Sequence, residues 1–339
     1  MSFFDEDVKK SIWEGKIPIM FTLSPNDLTS HIPPSSLSFV IVMMMMMMML
    51  TFANQKTKKM FVPRNSYFPL ITGVVKDHFS YSTLVISDSE LWLEYKGIPL
   101  KWHIPIGVLF DMLVATPDTT ASQIWNITVH FQSFPEKVLL RCSNEDAIRT
   151  YYKNVLKEAN YIKQGDINKL NNLSINQTNE LWDGLKLHDY EKFWSINKMF
   201  YPGNGYKHIP YRIIQNNKAP LQDLISPINE NGQETTLESL FSKIAFNNSN
   251  NSSSNNNNNN NNSNNNSNNN NNIDTSNETQ QSTTTLSSSS TNSTTLLQVL
   301  NSGSIRYSIQ GIEPPLNSSL IWLGDYFSHP DNFLYIVLA

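Results

Sequence analysis

One cysteine, Cys142, stands in 339 residues, which excludes a disulfide framework, a thiolate zinc site and an iron–sulfur cluster within the chain. Charge of one sign is also lacking: 25 basic residues against 29 acidic ones leave a formal net charge of −4. No global field therefore draws the protein to nucleic acid or to an anionic membrane. The signatures of common catalysts are missing as well. There is no glycine-rich phosphate loop, no Gly-x-Ser-x-Gly elbow and no His-Glu-x-x-His pair. The first residues, Met1-Ser2-Phe3-Phe4-Asp5-Glu6-Asp7, have neither the basic start nor the early apolar stretch of a secretory signal. Their carboxylates, Asp5, Glu6 and Asp7, suit a helix start. A cytoplasmic chain is expected.

Long apolar runs are scarce, with one exception. Residues 39–50 are unbroken apolar and 37–53 nearly so, with methionine at every position from 43 to 49. A membrane-spanning helix needs about 20 such residues, so a repeat inserted in a loop is the preferred reading. A membrane-anchored adaptor using 37–53 is the alternative. Residues 247–297 are almost entirely Asn, Ser and Thr, with charge only at Asp274 and Glu278. Such a tract buries too little apolar surface to offset its chain entropy and is expected to be disordered.

What remains is enough for ordinary cores, since hydrophobic residues make up 39% of the chain and aromatics 11%. Residues 16–24 and 60–67 read as strands, 69–79 as a helix, 91–95 and 98–102 as strands around a Lys96-Gly97 turn, 105–113 as a helix starting on proline, and 125–131 as a strand in which Trp125, Ile127, Val129 and Phe131 alternate with polar residues. The order is β-β-α-β-β-α-β. A second block repeats it broadly: strands at 206–215 and 221–227, a helix at 237–244, then a strand at 304–310, a helix at 320–327 and a strand at 332–338. A local signature of strand, Gly-Ile, Pro, helix and strand occurs in both, at Gly97-Ile98-Pro99 and at Gly311-Ile312-Glu313-Pro314. The arrangement of 320–338 resembles that of the C-terminal half of ubiquitin, so a duplicated ubiquitin-like fold is predicted.

Between the blocks, 142–203 reads as helical. Ser143 with Asp146 three residues later is a near variant of a capping box. Ile148, Tyr151, Tyr152, Val155, Ala159 and Ile162 share one helix face at 100° per residue. A second stretch, 180–200, is dense in aromatics that are expected to pack inward. On the first helix Lys157 falls opposite the apolar stripe, on the polar side with Lys153 and Gln164. An exposed amine is what isopeptide attachment requires, although lysines on polar faces usually only solvate the helix. Cys142 suits a small residue at a strand–helix junction better than a nucleophile, and His103 and His130 suit structural histidines. No active site is expected, nor any metal or cofactor.

Certain residues resemble a known family. They are Ile12-Trp13-Glu14-Gly15-Lys16-Ile17-Pro18, Pro99-Leu100-Lys101-Trp102-His103-Ile104-Pro105-Ile106-Gly107, Trp125-Asn126-Ile127-Thr128-Val129-His130-Phe131, Lys157-Glu158-Ala159, Phe193-Trp194-Ser195-Ile196-Asn197, Ile209-Pro210-Tyr211-Arg212 and Pro330-Asp331-Asn332-Phe333-Leu334. Collinear and rich in Trp and Pro, they resemble the autophagy protein 5 family. The resemblance implies an α+β protein of two ubiquitin-like β-grasp domains flanking a helix-rich domain. The expected division is an N-terminal helix at 1–15, a first ubiquitin-like domain at 16–135 with a Met-rich insertion at 33–59, the helix-rich domain at 136–203, and a second ubiquitin-like domain at 204–339 with the 247–297 insertion.

The resemblance further implies a non-catalytic scaffold of autophagosome formation. Lys157 aligns with the lysine that receives the ubiquitin-like autophagy protein 12 through an isopeptide bond. The coiled-coil autophagy protein 16 binds non-covalently, and the E2 enzymes, autophagy proteins 10 and 3, bind transiently. The complex then acts as an E3-like factor in attaching autophagy protein 8 to phosphatidylethanolamine, peripherally at the isolation membrane.

Overall fold

Alternation makes the first strand one-sided. In β1 (Lys16–Leu23) the residues Ile17, Ile19, Phe21 and Leu23 are buried while their neighbours are not, as the period-two geometry of a strand requires. It is preceded by α1 (Phe3–Trp13) and pairs antiparallel with β2 (Thr57–Pro63). The computed structural model describes residues 3–27, 57–79, 90–114, 124–202, 205–216, 218–244 and 294–339. The apolar stretch 37–53 and nearly all of the Asn tract lie outside them.

After β2 come α2 (Thr72–Phe79), β3 (Trp92–Tyr95), β4 (Ile98–Pro99), α3 (Ile106–Leu113) and β5 (Trp125–His130). The sheet order is β2-β1-β5-β3-β4, with β1 and β5 parallel at its centre and the other pairs antiparallel. A parallel pair needs a long crossover, and the α2, β3–β4 and α3 segment supplies it. The core gathers Ile19, Phe21, Val75, Phe79, Leu109, Trp125 and Ile127. Each fully buried side chain of this kind contributes about 1.5–3 kcal/mol. The strand expected at 98–102 is only two residues long. Leu100 N still bonds Leu93 O, but Ile104 N then bonds Lys101 O and turns the chain into α3.

The helix-rich part holds α4 (Glu145–Gln164), α5 (Asn168–Asn171), α6 (Ile175–Lys186) and α7 (Tyr190–Asn197). Asn144, not Ser143, caps α4: its backbone is extended and its side chain accepts from Ala147 N at 3.0 Å. That places the helix start one residue later than the Ser143–Asp146 spacing suggests. The 180–200 stretch is two helices, broken where His188 adopts φ 55° and Asp189 caps α7. Close packing of α6 on α7 requires Gly184, because a Cβ there would sit 2.5 Å from Phe193 N.

The second ubiquitin-like domain contains β6 (Tyr211–Gln215), α8 (Leu237–Lys243), α9 (Leu296–Asn301), β7 (Tyr307–Ser308), α10 (Leu320–Tyr326) and β8 (Leu334–Leu338). Its sheet order is β6-β8-β7, with β8 parallel to β6 and antiparallel to β7. Segment 221–227 makes only isolated bridges, Leu221 to Ile213 and Ile225 to Ile209. The expected strand at 304–310 shrinks to Tyr307–Ser308 because its next turn, Gln310-Gly311, has both residues at positive φ. The end of the polar tract folds: Thr295 caps α9 in a capping box with Gln298, and Leu296 is fully buried.

The parts meet at polar junctions. Lys9 of α1 lies 4.9, 4.4 and 5.0 Å from the ring centres of Trp194, Tyr201 and Tyr326. Trp13 stacks on His188 at 4.8 Å. Within the first ubiquitin-like domain Arg64 pairs with Asp111 at 2.5 Å, and the second domain comes up against that pair, since a Cβ on Gly311 (φ +80°) would meet the same guanidinium at 2.8 Å.

Candidate conjugation site on the central helix

Helix α4 is held at both ends, by Asn144 at the start and by Gly165 in the left-handed conformation (φ 84°) at the finish. Between them its residues divide by face. Leu156 enters the core of the helical bundle beside Tyr152, Trp182 and Phe193. Val155, Ala159 and Ile162 enter a separate cluster with Val108 of α3, Ile214 of β6, and Phe333, Tyr335 and Val337 of the second ubiquitin-like domain. All three domains therefore grip this helix.

Lys157 stands on the outer face, half-buried, with Lys153 and Tyr161 exposed a turn away on either side. Among the described residues its amine makes no ion pair and no side-chain hydrogen bond. The adjacent Glu158 is engaged, accepting from Arg212 Nη2 at 2.8 Å and from Gln222 Nε2 at 2.8 Å. Gln164 is not a plain surface residue, since its amide donates to Phe200 O at 3.1 Å. Lys163, which the helical pattern does not distinguish, is buried and donates to Asn332 Oδ1 at 2.6 Å. Burial pulls its pKa down to about 7. Of the lysines on this helix, Lys153 and Lys157 have the geometry for acylation from outside.

The other candidate residues form no catalytic arrangement with Lys157: no hydrogen bond or ion pair joins them to it among the described residues. Cys142 is half-buried beside Asn144 O, and burial raises its thiol above the usual range, opposite to what a nucleophilic cysteine needs. His130 stacks on Trp92 at 3.9 Å with Nε2 3.1 Å from Glu94 Oε2, on the sheet of the first domain. His103 packs edge-on to Trp102 and Tyr151, and burial pulls its pKa down to about 4. Among the described residues no group of three His, Cys, Asp or Glu can hold a metal ion. None of their helices is long and apolar enough to cross a membrane.

A second feature, not anticipated from the sequence, is a cleft of about 850 Å³ between the two ubiquitin-like domains. Phe110, Ile305 and Ile312 give it apolar walls, and Lys16, Arg306 and Glu313 give it charged ones. It is built from residues more than 190 positions apart, by direct count between Phe110 and Ile305. No local pattern announces it.

Residues 12–131 match the UblA domain of autophagy protein ATG5, residues 145–203 its alpha-helical bundle region, and residues 208–338 its UblB domain. Autophagy protein 5 of Dictyostelium discoideum is 48% identical over an alignment that covers 100% of this chain and 96% of the relative. The Drosophila melanogaster protein of the same name is 30% identical, with 71% of this chain and 82% of that one covered. In fold, the chain resembles the crystal structure of Kluyveromyces marxianus Atg5 with a TM-score of 0.65, at 18% identity, over 98% of this chain and 100% of that one.

Proposed function

The chain belongs to the autophagy protein 5 family, non-catalytic scaffolds of autophagy, and from that premise we propose that Lys157 is the amine through which it is joined to the ubiquitin-like autophagy protein 12. The observation that carries this is the setting of the side chain: α4 is fixed by all three domains, while the Lys157 amine is free of internal pairing among the described residues. In the reaction the neutral amine attacks the carbonyl carbon of the modifier's C-terminal thioester. A C–N bond forms, the C–S bond breaks, the thiolate stays on the conjugating enzyme, autophagy protein 10, and the nitrogen's proton passes to solvent. The chain contributes the nucleophile and its orientation, and the thioester chemistry belongs to the enzymes.

For the helix of the coiled-coil autophagy protein 16 the proposed seat is the cleft between the ubiquitin-like domains. Its size and its mix of apolar and charged walls suit an amphipathic helix in a groove. The assembled complex works as an E3-like factor, assisting transfer of autophagy protein 8 from autophagy protein 3 to phosphatidylethanolamine. The chain itself is cytoplasmic and meets the isolation membrane peripherally, through the complex. With the modifier and its enzymes supplied, wild type gives a higher-mass form that survives denaturing gels and Lys157→Arg gives none. Persistence of that form in the variant overturns the assignment.

A further inference from the structure

Lys157 is flanked on the helix by two anchors of different kinds. At about 100° per residue, Leu156 and Glu158 project to opposite sides of it. Leu156 is locked in the bundle core at 1% exposure. Glu158 is exposed, yet it too is held, by Arg212 and Gln222 from the second ubiquitin-like domain. These three polar side chains close a ring, because Arg212 Nε also donates to Gln222 Oε1 at 2.8 Å.

Arg212 differs from the usual partner in a surface ion pair, which is loosely held and orients little. Its side chain is 14% exposed, its guanidinium lies 3.8 Å over the centre of the Phe333 ring, and Nη1 donates to Tyr335 Oη at 3.3 Å. The planar fork is thus preset before it meets the carboxylate. It adds a polar hold on α4 at the edge of the apolar cluster that Val155, Ala159 and Ile162 form with the second ubiquitin-like domain. It also occupies the carboxylate next to Lys157 in the chain.

We infer that Arg212, acting through Glu158, is a positioning residue for the Lys157 amine, setting the direction from which it meets the modifier's thioester. The inference rests on the reading of Lys157 as the acceptor. Attack on a thioester depends steeply on alignment, so a loosened helix edge slows the bond-forming step without weakening the docking of the enzyme that carries the thioester.

The test measures initial rates of conjugation for the full-length chain, with the modifier and its activating and conjugating enzymes, as the concentration of this chain is varied. Arg212→Gln and Glu158→Gln are each expected to lower kcat roughly fivefold with KM unchanged, and Arg212→Lys to fall between. Glu158 is the exposed partner, so Glu158→Gln is the arm insensitive to misfolding, checked by an unchanged melting temperature. Wild-type kcat in both Gln variants overturns the inference, as does a change confined to KM. Lys157→Arg separates the two ideas. If it abolishes the conjugate while the Gln variants keep full kcat, only the positioning role falls. If the conjugate persists, the acceptor assignment falls and takes the positioning role with it.

Discussion

The phenol of Tyr67 donates a 3.1 Å hydrogen bond to Asp331 Oδ2, linking residues 264 positions apart from the first and second ubiquitin-like domains. Tyr335 donates to the same oxygen at 2.8 Å and Phe333 N to the other at 3.1 Å. The bundle joins one residue earlier, where Tyr152 Oη donates to Pro330 O at 3.2 Å, and one later, where Lys163 bonds Asn332. A single buried turn, 329–332, therefore touches all three domains. Buried polar networks of this kind stabilise only when fully satisfied.

Two buried histidines, His329 in this turn and His103 against the central helix, are expected to give a pH response. Burial lowers the pKa of His329 from 6.5 to about 3, and that of His103 to about 4. In the unfolded chain both take up protons near pH 6.5, whereas in the folded protein they stay neutral until much lower pH. Across that window the unfolded state binds more protons, so stability falls as pH drops below about 6.5, by up to about 1.4 kcal/mol per pH unit for each histidine. Urea denaturation at pH 7 and pH 5 is expected to show the loss, and His329→Gln to flatten the pH dependence. An unaltered slope in the variant removes His329 as a cause.

The N-terminal helix should depend on one ammonium. Lys9 is buried at 4% exposure and faces the rings of Trp194, Tyr201 and Tyr326. A desolvated cation–π contact contributes about 2 kcal/mol. Lys9→Met keeps the stem but removes the charge, and faster hydrogen exchange over residues 3–13 is expected, while Lys9→Arg stays near wild type. Equal exchange in wild type and Lys9→Met would show that the apolar contacts of α1 suffice.

Packing of the helix pair α6–α7 tolerates no side chain at Gly184. With Phe193 N at 2.5 Å and Phe193 Cα at 2.7 Å from an added Cβ, only backbone movement makes room. Gly184→Ala is expected to cost about 1–3 kcal/mol, despite the better helix propensity of alanine. A thermal melt within error of wild type would refute this.

Much of this architecture can be read from the chain because its signals are local. Trp125, Ile127 and Val129 alternate, and the strand they predict lies at the centre of the first sheet. The apolar stripe of α4 places Lys157 outward, and Tyr152, Val155, Ala159 and Ile162 are buried as that stripe requires. What escaped depends on distant partners. Lys163 looks like any lysine near a helix end. Its burial comes from Asn332, Tyr201 and Tyr206, which converge on it only in the fold. The grip of Arg212 on Glu158 spans 54 positions, and 221–227 has strand composition but pairs only at single bridges. The break at His188 escaped for a different reason: neither glycine nor proline marks it, and a non-glycine residue at positive φ gives no sequence warning.

The two sheets share one wiring, with a late strand inserted beside the first, yet this sets very different moments of completion during synthesis. The first sheet can close once β5 has emerged from the ribosome. The second must wait for β8, whose five residues are all buried and form its middle strand. Until then β6 and β7 have no mutual partner, the 329–332 turn cannot knit the domains together, and the face of α4 that β8 covers stays open to water. Leu334–Leu338 completes the surface on which Val155, Ala159 and Ile162 of α4 pack, so a nascent chain halted short of that strand leaves this face of the central helix uncovered.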